Sequence, residues 1–120
     1  MGFEERRKHF RRYFGEDERY FIEYKVLGKL IPKKEVALTL DLSAGGLLFR
    51  SADLIAVNSE IEFDLSLPHI KDPIHLKGRV VRVEPALKAG IYNIAVQYIE
   101  ISENDRVAID QFCTGKNPSK

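Results

Sequence analysis

A small antiparallel β-barrel followed by one helix is the fold class this sequence predicts. Three observations predict it. Apolar and polar residues alternate over several short runs, Pro and Gly punctuate the gaps between them, and the last apolar segment switches from period two to helical spacing. At 120 residues and 44% apolar content there is room for one domain, which would bury roughly two-thirds of its extended-chain surface.

Residues 3–19 are dense in charge, with Phe3, Phe10, Tyr13 and Phe14 interspersed. Gly15 and the acidic Glu16-Asp17-Glu18 break any long helix there, which leaves a short helix or a flexible arm. From Tyr20 a strand pattern begins, with Tyr20, Ile22, Tyr24 and Val26 on one face and Glu23 and Lys25 on the other. After a connection containing Gly28 and Pro32, Val36, Leu38, Leu40 and Leu42 alternate with Glu35, Ala37, Thr39 and Asp41. The leucine face reads as core, so Asp41 points away from it, and Ser43 would follow Asp41 onto the outer, unburied side. Gly45-Gly46 suits a turn with positive φ and a close backbone approach, and Leu47-Leu48-Phe49 opens a return strand ending near Arg50-Ser51.

Glu60 to Leu67 alternates again, with Ile61, Phe63, Leu65 and Leu67 inward and Pro68 closing the run. Between Ile74 and Glu84 the apolar face changes around Gly78, which predicts a glycine-centred bend or bulge. Lys88-Ala89-Gly90 makes a turn into the last strand, Ile91 to Ile101, with Ile94, Val96 and Tyr98 inward. Ser102-Glu103-Asn104-Asp105 is a helix start of the capping-box type, and Ala108, Ile109, Phe112 and Cys113 form one stripe that Gly115 and Pro118 terminate. The sum is a six-stranded antiparallel barrel with a C-terminal helix.

The formal net charge is only +1, which argues against a protein that grips long nucleic acid by bulk electrostatics. Its distribution is uneven. Residues 1–34 carry ten Lys/Arg against six Asp/Glu, whereas residues 35–101 carry six against nine. The head, Arg6-Arg7-Lys8-His9-Phe10-Arg11-Arg12, is the basic centre, placed to meet a small anion. The single cysteine, Cys113, cannot form an intramolecular disulfide, and with no signal peptide or membrane-length apolar run the chain reads as cytoplasmic, without membrane insertion. His9, His69 and His75 lack metal-ligand spacing, and no Walker loop, nucleophile elbow or carboxylate pair appears, so neither a metal, a cofactor nor an enzyme is expected.

Arg7-x-x-x-Arg11 and Asp41-x-Ser43-x-x-Gly46, with 29 residues between Arg11 and Asp41, read as two halves of one anion site. A guanidinium can take a phosphate in bidentate fashion, donate twice to the O6/N7 edge of guanine, or stack on its ring. An aspartate accepts from guanine N1–H and N2–H, a serine adds a neutral hydroxyl, and a glycine lets backbone approach. Two phosphates and two guanines are what cyclic di-GMP presents.

In this order the motifs resemble the R-x-x-x-R and [D/N]-x-S-x-x-G signature of bacterial PilZ domains, which bind cyclic di-GMP. Glu5-Arg6-Arg7 before the first motif, Leu42 to Leu47 around the second, and Gly78-Arg79-Val80-Val81 later in the chain extend the resemblance over nearly its whole length. The resemblance implies that Arg7 and Arg11 hold phosphate and guanine, that Asp41 and Ser43 contact a guanine, that Gly46 shapes the loop, and that Arg6 adds a further contact. It also implies a division into an arginine-rich switch segment (1–19), a barrel with its helix (20–114) and a tail (115–120). The output partner would be an effector protein of motility, pilus, polysaccharide-synthesis or regulatory machinery. One departure is the long acidic step from Arg12 to Glu18, which could hold the arginines in self-pairs. The alternatives are a nucleotide-independent protein interaction module on the same fold and, more weakly, an RNA-binding barrel, against which the acidic middle of the chain argues.

Overall fold

The computed structural model describes residues 11–15, 18–31, 33–68 and 70–115. These form β1 (Arg12–Tyr13), β2 (Tyr20–Val26), β3 (Lys34–Leu42), β4 (Gly46–Ser51), β5 (Glu60–Leu65), β6 (Ile74–Pro85), β7 (Tyr92–Glu100) and α1 (Glu103–Thr114). Strands β2, β3, β4, β7, β6 and β5 pair in that circular order, all antiparallel, and the β3–β4 pairing closes the barrel. The expected six-stranded barrel with its trailing helix is therefore the fold. The addition is β1, a two-residue strand that pairs outside the barrel with the end of β3. Of the arginine-rich segment, Arg12–Tyr13 are thus a paired strand, and residues 1–10, 16 and 17 lie outside the described residues.

The interior is filled as alternation dictates along most strands. Ile22 and Tyr24 from β2, Ile61, Phe63 and Leu65 from β5, Ile74, Leu76 and Val80 from β6, and Ile94 and Val96 from β7 are all buried. Each such side chain contributes about 1.5–3 kcal/mol by leaving water. Tyr24, Phe49 and Phe63 pack centrally, tilted and edge-to-face, at ring separations of 4.9 and 5.9 Å, and the Tyr24 hydroxyl finds Ser51 Oγ at 3.2 Å.

One strand departs from the face its sequence suggested. In β3 the inward residues are Ala37 and Thr39, while Val36 is exposed and Leu38 is half-buried. The register against β4 shifts between Thr39 and Asp41, so Leu40 is an extra residue and Leu42, not Leu38, carries the leucine face into the core. A single bulge converts one parity into the other, which period-two reading cannot see. In β6 the register against β7 shifts twice, between Lys77 and Gly78, where the irregularity was expected, and again between Val80 and Arg82, where Val81 is an extra residue. Gly78 also lies close against β7, where a Cβ would sit 2.4 Å from Val96 Cγ1.

Helix α1 begins as its sequence predicts. Ser102 Oγ accepts from the Asp105 amide at 3.1 Å, and Gly115 ends the helix at φ 79°. Ile109 and Cys113 are buried against the barrel, and Cys113 Sγ donates to the Leu42 carbonyl at 3.1 Å. Burial pushes the Cys113 thiol up to about 11, so it stays protonated at neutral pH and serves as packing.

Candidate functional site

The site is assembled where β3 outruns its neighbour. Strand β2 covers β3 only as far as Thr39, and β1 takes over the same edge, pairing Arg12 with Leu42 and Tyr13 with Asp41. The Phe14 amide continues the ladder to the Leu40 carbonyl at 3.0 Å. Extended by one residue, this register sets Arg11 across from Ser43. The Arg11 guanidinium then reaches the Asp41 carboxylate in a charge-assisted hydrogen bond, which joins the two motifs across 30 positions of sequence.

The bulge at Leu40 does chemical service here. Asp41 pairs with Leu48, opposite in parity to the inward pair Leu42 and Leu47, so its carboxylate leaves the core side as expected. It is nevertheless buried, at 5% exposure, and Ser43 is buried at 2%, which corrects the expectation that both would stand open on the outer face. The covering strand β1 and the tight turn after β3 account for that. Burial raises the Asp41 carboxyl above its ordinary value, and the opposing charges and hydrogen bond of Arg11, with the more distant Arg82, do not fully offset it.

Ser43 is committed to its own turn. Its Oγ accepts from the amides of Gly45 and Gly46 at 3.1 and 3.2 Å and donates to the Gly46 carbonyl at 3.3 Å, while its amide bonds the same carbonyl at 2.9 Å. Ser43→Ala is therefore expected to lower stability by about 1–3 kcal/mol through the two unsatisfied amides, checked by chemical denaturation of the variant beside the parent. Gly28, Gly90 and Gly115 are the described glycines with positive φ, so the turn does not use that freedom at Gly45-Gly46. Gly46 is required for a different reason: a Cβ on it would lie 2.1 Å from the Val96 carbonyl oxygen of β7. The close approach foreseen at this glycine is to β7.

What holds β1 in place was not legible as a motif. Arg12 points away from Arg11, toward α1, where it donates to the Phe112 carbonyl at 3.3 Å and lies 4.7 Å from the Phe112 ring centroid. Its other partner is Glu18, so the described end of the acidic step pairs with Arg12. Phe14, Tyr20 and Phe112 complete the anchor, with centroids 4.8, 5.4 and 6.2 Å apart. Arg82 was also missed. The registers align Asp41, Leu48, Ala95 and Arg82 in one outward row across four strands, which extends the site's face as a shelf ending in a cation. Among the predicted residues, Arg11, Asp41, Ser43 and Gly46 are brought together, while Arg6 and Arg7 lie outside the described residues.

Comparison with known proteins agrees with this architecture. The model of the family described as "PilZ domain" matches residues 5–115. No curated protein matches. Among solved structures, the Bacillus subtilis inhibitor of motility MotI/DgrA superposes with a TM-score of 0.73 at 20% identity, over 95% of this chain and 52% of that one. The Escherichia coli YcgR PilZ domain with c-di-GMP gives 0.70 at 12% identity, over 92% and 90% of the two chains. Klebsiella MrkH gives 0.70 at 15% identity, over 88% of this chain and 47% of that one. The chain thus spans about half the length of two of these three proteins. With the family match running from the arginine head to the end of the helix, the chain belongs to the PilZ domain family.

Proposed function

We propose that this chain is a cyclic di-GMP receptor that binds the dinucleotide between the Arg6-Arg7-x-x-x-Arg11 head and the Asp41–Gly46 turn, and signals occupancy to an effector protein in the cytoplasm rather than catalysing a reaction. The observation that carries the reading is the Arg11–Asp41 pair: a guanidinium and a buried carboxylate, far apart in sequence, facing one another. Guanine N1–H and N2–H would replace Arg11 as donors to Asp41, which frees Arg11 for a phosphate or a guanine edge, with Arg7 and Arg6 supplying the remaining positive charge. Ser43 and Gly46 act by holding the turn to β7. Membership of the family and the c-di-GMP bound to the PilZ domain of YcgR support the choice of ligand.

The same ion pair supports a second reading. Arg11 and Asp41 satisfy one another, and a barrel closed in that way could act as a protein interaction module without a nucleotide. Calorimetric titration separates the two. The parent is expected to bind cyclic di-GMP and not GTP, and Arg7→Ala/Arg11→Ala to lose at least about a hundredfold in affinity, the effect of two charge-assisted contacts. Absence of heat and of thermal shift with the parent would leave the interaction module as the reading.

A further inference from the structure

We propose that the end of the barrel remote from the arginine site is a docking surface for anionic lipid bilayers. The strand registers define that end. Val26 pairs with Ile61, Ser51 with Tyr92 and Pro85 with Tyr92, so the β2–β3, β4–β5 and β6–β7 connections all emerge together, opposite the β3–β4 turn. Each connection holds bulky aliphatic side chains out in solvent: Leu30 at 97% and Ile31 at 80%, Leu54 at 69% and Val57 at 51%, and Leu87 at 108% exposure. One such residue is ordinary, but five converging on one end of a small domain are not.

The charge that accompanies them selects the partner. The three connections, residues 27–33, 52–59 and 86–91, contain Lys29, Lys33 and Lys88 against one acid, Asp53. Lys33 is 82% exposed, and its contact with Glu35 is a loose 3.9 Å. The aliphatic groups stand on three separate connections and no aromatic residue is among them, so the apolar surface is divided among loops rather than gathered on one element. A bilayer interface closes around each tip, while the lysines meet anionic headgroups. No helix among the described residues is long and apolar enough to cross a membrane, so the contact is adsorption at loop tips. Its position leaves the arginine site accessible while the protein is docked.

Co-sedimentation with vesicles tests this, using phosphatidylcholine alone or mixed with phosphatidylglycerol. The parent is expected to sediment with the mixed vesicles only, and to be released by salt. Lys29→Ser/Lys33→Ser/Lys88→Ser should weaken binding about a hundredfold, roughly fivefold per lysine. Leu30→Ser/Ile31→Ser should weaken it comparably, with circular dichroism verifying the fold of each. Because the chain contains no Trp, Leu30→Trp gives a single indole reporter whose emission should shift to the blue on mixed vesicles. Sedimentation unchanged in both loop variants would place lipid binding elsewhere, at the basic head, and would overturn the proposal. Absence of sedimentation with mixed vesicles would also overturn it and make the apolar tips a protein interface.

Discussion

Gly46→Ala is expected to destabilise the barrel by more than about 3 kcal/mol, a fall in melting temperature of roughly 10 °C or more. The added methyl would sit 2.1 Å from the Val96 carbonyl oxygen and 3.2 Å from its carbon, both backbone atoms in the centre of β7. A flexible side chain could swing aside, but these atoms can retreat only by separating β4 from β7, and the register of six residue pairs depends on that contact. Two substitutions calibrate the result. Gly15→Ala meets nothing within 4 Å and should melt with the parent. Gly78→Ala meets the Val96 Cγ1 methyl at 2.4 Å and the Gln97 carbonyl oxygen at 3.0 Å, a longer backbone approach than at Gly46, and should fall between them. Thermal melts of the three variants check the order, and a Gly46→Ala protein that melts with the parent would show that the β4–β7 contact is looser than described. Loss of nucleotide binding by this variant would accordingly report the barrel and not a ligand contact, so Gly46 is the wrong motif residue with which to test the site.

That reversal shows what the sequence could and could not convey. Hydrophobic alternation located β2, β5 and β7 with their inward faces, because an unbroken strand has a fixed parity and one buried residue determines the rest. The helix was equally legible, since Ser102 and Gly115 terminate it through local bonds. Strand β3 was misread at its face because it holds one extra residue, Leu40, and a bulge is specified by the partner strand; in β6 the change of face and the irregularity at Gly78 were legible, and the second one, at Val81, was not. The site followed the same division. The spacing singled out Arg11, Asp41, Ser43 and Gly46, which the fold brings together, whereas their surroundings depended on what lay opposite: the Val96 carbonyl for Gly46, the turn amides for Ser43, and a covering strand for Asp41. Arg12 was unreadable as an anchor because its partner, Phe112, lies 100 positions away.

At Asp41 the physical chemistry predicts that binding and stability respond in opposite directions to acid. Burial raises this carboxyl from its ordinary value of 3.8 even though Arg11 is bonded to it. Between that value and the raised one the folded chain binds the proton and the unfolded chain does not, so Asp41's contribution to stability increases as pH falls through the window. Above the window the ionised group costs the fold the part of its desolvation that Arg11 and Arg82 do not offset. On the proposed reading nucleotide binding has the opposite sign, because guanine N1–H and N2–H would need the carboxylate as acceptor, and affinity should decline over the same window. Asp41→Asn separates these effects. It removes the buried charge and keeps an oxygen that can accept, and the family signature admits Asn at this position. The variant should melt no lower than the parent at neutral pH, lose its share of the acid dependence, and retain affinity within about tenfold, one charge-assisted bond having become a neutral one. Asp41→Ala has no acceptor at all and should lose about a hundredfold, with Arg11 left to water. Melting curves and calorimetric titrations of all three proteins between pH 4 and pH 7 supply the test. If parent affinity rose on acidification, or if Asp41→Ala bound as well as the parent, Asp41 would not be the guanine acceptor, and its bond to Arg11 would stand as a structural clasp between β1 and β3.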